Sequence, residues 1–154
     1  MAGESEIHRL ESLARLSALL DSIDNEKVTL IGDTMLDRYH HGFANNLNST
    51  APVPVIKILK SEESPGASSH IAIGLTSFGM DVSFHTAVGD DSEGKTIKST
   101  LESNEIRLDN VISVKDRITL TKIRFYGSRE SLLDRSQILL QADRGANDEL
   151  DPSI

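Results

Sequence analysis

The chain has 154 residues, about one domain, and is long enough to bury a core without disulfides or a structural metal. Its formal net charge is −8, from 16 basic and 24 acidic residues, the wrong sign for bulk attraction to nucleic acid. Aromatic residues are few, Trp is absent, and no basic stripe alternates with stacking rings. Cysteine is also absent, which removes disulfides, thiolate metal sites and a Cys nucleophile. No apolar run approaches membrane-spanning length, and no basic, apolar leader opens the sequence. The expectation is a soluble, cytoplasmic chain with neither a nucleic-acid nor a membrane partner.

Residues 5–23 carry Ile7, Leu10, Leu13, Leu16, Leu20 and Ile23 at spacings of three or four, with Glu6, Arg9, Glu11 and Arg15 off that stripe. This predicts an amphipathic helix, occupying about residues 1–24 and packing on the domain behind it. A second unit then runs over residues 25–142, with a polar tail at 143–154. Val28, Leu30 and Ile31, bounded by Lys27 and Gly32, predict a buried strand ending in a turn. Two carboxylates follow, Asp33 and Asp37. Ligands of open α/β sheets bind beyond the carboxyl ends of strands, and ionised carboxylates there suit a polyhydroxyl ligand; the alternative is that both acids cap or solvate a turn.

Residues 39–43 and 53–59 have β character. Pro52 and Pro54 beside the second predict an edge or an exposed flap, because proline donates nothing to a ladder. His40 and His41 suggest a metal pair, but adjacent strand residues point to opposite faces, so a surface flap without metal is the expectation. Ser64-Pro65-Gly66 then reads as the opening of a helix. Its apolar stripe is Ala67, Ile71, Leu75 and Phe78, and Gly79 ends it. The small, polar first turn, from Gly66 to His70, offers free N–H groups to an anion or a hydroxyl. A strand over 82–88 alternates Val82, Phe84, Thr86 and Val88, and the helix after it presents Gly94, Ile97 and Leu101 on one side. Short strands are predicted at 110–114 and 137–142. A longer one at 119–126 alternates Lys122 and Arg124 with Ile123 and Phe125.

Residues Gly89 to Thr96 satisfy G-x-x-x-x-G-K-S/T between a strand and a helix, so a phosphate-binding loop with Lys95 at its centre is one reading. Three acids, Asp90, Asp91 and Glu93, would lie inside the cradle. Like unit charges at ~4 Å repel by about 4 kcal/mol at an effective dielectric near 20. A partnering acid for the metal is faint, at Asp143. The other reading is a strand-to-helix turn with Asp91 or Ser92 as N-cap.

GDTMLDRY with APVPVIKI, then SPGASSHIAIGLTSFG, AVGDDSEG, TLTKIR and LLQADR, occur in this order over residues 27–144. Together they resemble the ribokinase-like carbohydrate kinases, and within them the kinase domain of bacterial enzymes that phosphorylate heptose 7-phosphate. The resemblance implies the N-terminal part of a doubly wound α/β sheet carrying a small β lid, here from about residues 40–60 and 117–128. It implies ATP-dependent phosphoryl transfer to a sugar or sugar-phosphate hydroxyl, with Mg²⁺. Asp37 falls on the family's sugar-binding aspartate and Gly66 on the first glycine of its Gly-Gly turn. Ala67 replaces the second glycine and His70 replaces the sugar-binding asparagine. Lys122 and Arg124 fall on the lid strand as partners for a sugar phosphate.

The family's catalytic base, anion hole and nucleotide site lie in its C-terminal half, so this stretch is expected to hold no catalytic residue and to be inactive alone. Gly145-Ala146-Asn147-Asp148 imitates the anion-hole motif and reads as a polar turn. Exposed lid strands are expected to pair two copies into a homodimer. Two rival functions stay open: a non-catalytic sugar-binding or dimerisation module, and a P-loop NTPase using Gly89 to Thr96.

Overall fold

A computed structural model describes residues 2–128, 136–145 and 149–150, with side chains from residue 6. Its elements are α1 (Ala2–Ile23), β1 (Lys27–Ile31), β2 (Thr34–Leu47), β3 (Pro54–Ala67), α2 (Ser68–Ser77), β4 (Asp81–Gly89), α3 (Ser92–Ser103), β5 (Val111–Val114), β6 (Thr121–Ser128) and β7 (Gln137–Arg144). Two sheets form. The first is parallel, in the order β1-β4-β5; the second is mixed, in the order β3-β2-β6-β7. The α/β class expected from the sequence is what forms.

The parallel sheet owes its core to the alternation in β4. Val82, Phe84 and Val88 are buried on one face, where they meet Ala72 of α2 and Ile97 and Leu101 of α3. At α3 the N-cap is Asp91, whose Oδ1 accepts from the Gly94 N–H at 2.8 Å. Gly79, at φ 84°, closes α2 where the helical stripe ends.

Three local readings differ. The strand at β1 is not buried on both faces: Val28 and Leu30 turn toward the helices, but Ile31 is 76% exposed because it faces the uncovered side of an edge strand. Ser64-Pro65-Gly66 does not open a helix. These residues stay in β3, opposite Asp37, Leu36 and Met35, and α2 begins only at Ser68. Pro65 is tolerated there because β3 is an edge strand, and the chain turns at Ala67 instead. The apolar stripe of α1 does not pack along a domain. Ile7, Leu10, Leu13 and Leu16 are all more than half exposed, and only the last turn, through Leu20, reaches the end of α2 at Phe78.

In the mixed sheet, β2 and β3 make an antiparallel hairpin, β2 pairs parallel with β6, and β7 returns antiparallel to β6. His40 and His41 point to opposite faces of β2: His40 stacks on Phe125 and His41 on Tyr126. No described helix is long and apolar enough to cross a membrane. The imitation of the anion-hole motif from Ala146 to Asp148 lies outside the described residues.

Candidate functional site

One face of the mixed sheet gathers most of the residues singled out in the sequence. Parallel registration sets Asp37 beside Lys122 and Tyr39 beside Arg124. All four side chains therefore project from the same side. Arg124 Nη1 donates to Asp37 Oδ1 at 2.6 Å and to the Tyr39 hydroxyl at 3.3 Å, while its Nε donates to Gln141 Oε1 at 3.2 Å. The guanidinium also lies 5.4 Å from the centre of the Tyr39 ring. Asp37 and Arg124 are largely shielded from water, with 16% and 20% of their side chains exposed. The hydrogen bond that Arg124 donates to Asp37 raises the Arg124 pKa, outweighing burial. Beyond Tyr39 the face continues as an aromatic ladder, with His41 stacked 5.1 Å from Tyr126.

Gly66 sits against the other oxygen of the same carboxylate. A Cβ there would run into Asp37 Oδ2, so a bare backbone is what lets β3 pass this close. Ala67 follows with φ 51° and ψ −129°, a conformation that suits glycine and strains alanine. The start of α2 is then pinned back to the strand. The Ser68 hydroxyl donates to the Asp33 carbonyl, as does its backbone N–H at 3.1 Å, and the Ser69 and Thr34 hydroxyls meet. The structure thus brings Asp37, Gly66, Lys122 and Arg124 together, with Ala67 at their margin. His70 is exposed in the first turn of α2 and hydrogen-bonds to none of them. Asp33 is also apart from Asp37: it is exposed after β1, where it lines a cleft of about 350 Å³ with Ile31, His85 and Ile112.

The loop that imitates a phosphate-binding motif is committed elsewhere. Several of its backbone donors are taken: Gly89 N–H by the Thr119 hydroxyl at 2.9 Å, Asp90 N–H by the Val114 carbonyl at 3.2 Å, and Gly94 N–H by Asp91. Both glycines are there for close packing. A Cβ on Gly89 would meet the Arg117 carbonyl, and one on Gly94 would meet the Gly89 carbonyl. Lys95 points into solvent, 75% exposed, 3.9 Å from Asp90. This weighs against the P-loop alternative: the N–H groups of Gly89, Asp90, Gly94 and Lys95 are already bonded within the protein, and the lysine side chain turns to solvent instead of into the loop.

The acids in that loop instead tie the two sheets together. Asp91 accepts from the Thr119 N–H at 2.9 Å and from its hydroxyl at 2.7 Å. Glu93 is 6% exposed and lies between Arg38 of β2, at 3.3 Å, and Arg144 of β7, at 3.2 Å. Arg38 is shared with Glu63 at 2.5 Å. Sequence reasoning missed this cluster and the Tyr39–His41–Tyr126 ladder. The signal for the ladder lay in the odd positions of β2 and the even positions of β6, but only knowledge of the parallel pairing aligns them.

No family model matches the chain. It is 34% identical over 110 residues to the bifunctional protein HldE of Actinobacillus pleuropneumoniae serotype 5b, a match covering 71% of this chain and 23% of that protein. It is 31% identical over 140 residues to the bifunctional protein HldE of Vibrio vulnificus, covering 88% and 28%. The chain therefore spans about a quarter of the length of these curated relatives. Among solved structures, ribokinase from Arabidopsis thaliana, complexed with ribose and ATP, superposes with a TM-score of 0.58 at 16% identity, over 80% of this chain and 36% of that one. Ribokinase from Cryptococcus neoformans, in complex with ADP, gives 0.56 at 22% identity, over 81% and 36%. The fold is that of part of a ribokinase-like sugar kinase. In sequence, the chain is similar over most of its length to HldE proteins.

Proposed function

We propose that this chain is the acceptor-binding part of an ATP-dependent carbohydrate kinase whose substrate is a sugar or sugar phosphate of the heptose 7-phosphate type. The observation that carries this reading is the Asp37 carboxylate, set in a sheet face between Lys122, Arg124 and the bare backbone of Gly66. A carboxylate held there accepts sugar hydroxyls, the two cations suit a phosphate, and Gly66 allows close approach. In the whole enzyme, an acceptor hydroxyl oxygen bonds to the γ-phosphorus of ATP as the bond to ADP breaks. Positioning and charge stabilisation are the enzyme's main contributions. This chain positions the acceptor. Activation of the hydroxyl and the binding of ATP and Mg²⁺ are assigned to the C-terminal half of such a kinase.

The mixed sheet acts as the lid, and its open edge at β3, where Val55 and Ile58 are exposed, pairs with a second copy. The setting we propose is the cytoplasm.

Calorimetric titration of the purified chain tests the proposal. Heptose 7-phosphate is expected to bind, binding is lost in Asp37→Ala, and Mg-ATP is silent with or without Lys95→Ala. Nucleotide binding that disappears with Lys95→Ala would overturn the reading, as would sugar-dependent ATP turnover by the 154-residue chain alone. Sedimentation of Val55→Glu, set against the unchanged chain, tests lid pairing: an unaltered mass counts against it.

A further inference from the structure

Asp37 and Arg38 are consecutive on β2, so their side chains leave opposite faces of the mixed sheet. Asp37 faces the candidate acceptor site, and Arg38 reaches toward α3. Arg38 divides its guanidinium between two acids in different layers. Its Nε donates to Glu63 Oε1 at 2.5 Å, a partner on β3 within the same sheet. Its Nη2 donates to Glu93 Oε1 at 3.3 Å, a partner in the first turn of α3.

The same oxygen of Glu93 accepts from Arg144 Nη1 at 3.2 Å, while Oε2 accepts from the Ser92 hydroxyl at 2.7 Å. Arg144 ends β7 opposite Thr121 at the start of β6, and Thr121 lies beside Leu36 of β2. Glu93 thus grips the mixed sheet at its root. The two residues that flank Asp37 on β2 are both fixed on this side of the sheet: Leu36 packs in the core with Ile97 and Leu101 of α3, and Arg38 is held by Glu93. The Glu93 side chain is only 7% exposed. Its loss would leave Arg38 tied within the sheet alone, through Glu63, with no ionic hold on α3.

We infer that Glu93 is a positioning residue of the acceptor site: through Arg38 it fixes where β2 presents Asp37, and so sets the affinity for the acceptor. Hydrogen bonds from sugar hydroxyls weaken steeply with misalignment, so a shifted β2 costs affinity although every contact residue is still present. The inference rests on the proposed acceptor-binding role and adds a residue on the far face of the sheet, which acts through Arg38 and not by contact.

The test is calorimetric titration of the full 154-residue chain with heptose 7-phosphate. The proteins are the wild type, Glu93→Gln, Glu93→Asp, Arg38→Lys and Glu63→Gln, each checked by circular dichroism and urea unfolding. Glu93→Gln should bind about tenfold more weakly than wild type, in keeping with one misaligned charge-assisted hydrogen bond. Glu93→Asp keeps the charge and should recover part of that loss. Glu63→Gln removes the other partner of Arg38 by the same chemical change, yet should bind within about twofold of wild type. Arg38→Lys, whose single ammonium cannot serve both acids, should also weaken binding, and keeps the test readable if the Glu93 variants do not fold. Unchanged affinity in a folded Glu93→Gln or Arg38→Lys, or equal weakening in Glu93→Gln and Glu63→Gln, overturns the inference while leaving the acceptor-binding role standing. Absence of sugar-phosphate binding in wild type overturns both.

Discussion

Asp91 holds Thr119 by two bonds at once, taking the backbone N–H on Oδ2 and the hydroxyl on Oδ1, although 28 residues separate them. Through this contact the N-cap of α3 also fixes the entry to β6. The loop that looks like a nucleotide cradle is thus a bracket between two sheets. Asp91→Ala should leave the Gly94 and Thr119 N–H groups without their acceptor and cost about 2 kcal/mol, a capping loss plus an unsatisfied shielded donor. Lys95→Ala, at an exposed position, should stay within about 0.5 kcal/mol of wild type. Urea unfolding of the two variants checks this; the opposite order would return the loop to a lysine-centred role.

The same bracket gives the protein an acid-sensitive component. The Ser92 hydroxyl lowers the Glu93 pKa against the opposing effect of burial, and Arg38 and Arg144 lower it further. Burial pushes Asp91 upward, but the bonds from Thr119 and Gly94, with the charge of Arg144, bring its net value below the ordinary one. Both folded values lie below the unfolded ones, so the stabilisation is complete above the unfolded pKa values, about 4. It is lost as pH falls through the folded values. The urea midpoint should therefore drop as pH falls below the unfolded carboxylate values, about 4, and Glu93→Gln with Asp91→Asn should flatten part of that slope. An unchanged slope in the double variant would remove these two acids from the account.

Ala67 stands where glycine would be relaxed. Its φ of 51° with ψ of −129° carries strain of about 1–3 kcal/mol for a residue with a Cβ. Ala67→Gly gives back part of that gain, about 0.4–1 kcal/mol, through a freer unfolded chain. The net expectation is stabilisation of about 1 kcal/mol, seen as a thermal midpoint about 2–4 °C higher. Ala67→Val should move the midpoint down. A glycine variant less stable than wild type would mean that the turn relaxes in solution.

What the sequence made legible follows the range of the interactions involved. Alternation in Val82, Phe84, Thr86 and Val88, the α3 stripe of Ile97 and Leu101, and the Asp91 cap depend on neighbours a few residues away, and the fold keeps them all. The exposure of Ile31 was not legible, since an apolar residue at the end of a strand reads as buried until the covering layer is known. The extension of β3 through Pro65 and Gly66 was hidden because S-P-G is also good helix-opening chemistry, and only pairing with β2 decides between them. Asp37 was legible as a carboxylate past a strand end and Gly66 as part of a small, polar turn, while Lys122 and Arg124 took their role from the family resemblance; the fold brings all four to one face. That Asp37 and Arg124 bond to each other depends on a parallel pairing across 87 residues, which no local pattern encodes.

Gly66 offers the most direct control over that pair. Any side chain there meets Asp37 Oδ2 on one side and Met35 Cγ, at 3.1 Å, on the other. Because β3 is held to β2 along this stretch, with Gly66 opposite Met35, the strand cannot simply retreat. The shorter path is for Asp37 to rotate away and loosen its bond to Arg124. Gly66→Ala should therefore cost about 1–3 kcal/mol of stability, the range of an overpacked site. It should also weaken sugar-phosphate binding at least tenfold, since an off-position carboxylate gives up charge-assisted hydrogen bonds of about 1.5–3 kcal/mol each. Calorimetry beside urea unfolding separates the two effects. Gly74→Ala serves as the control, because a Cβ there meets nothing within 4 Å and leaves Asp37 undisturbed. Full binding affinity in Gly66→Ala, with the fold intact, would show that the ligand does not depend on the placement of Asp37.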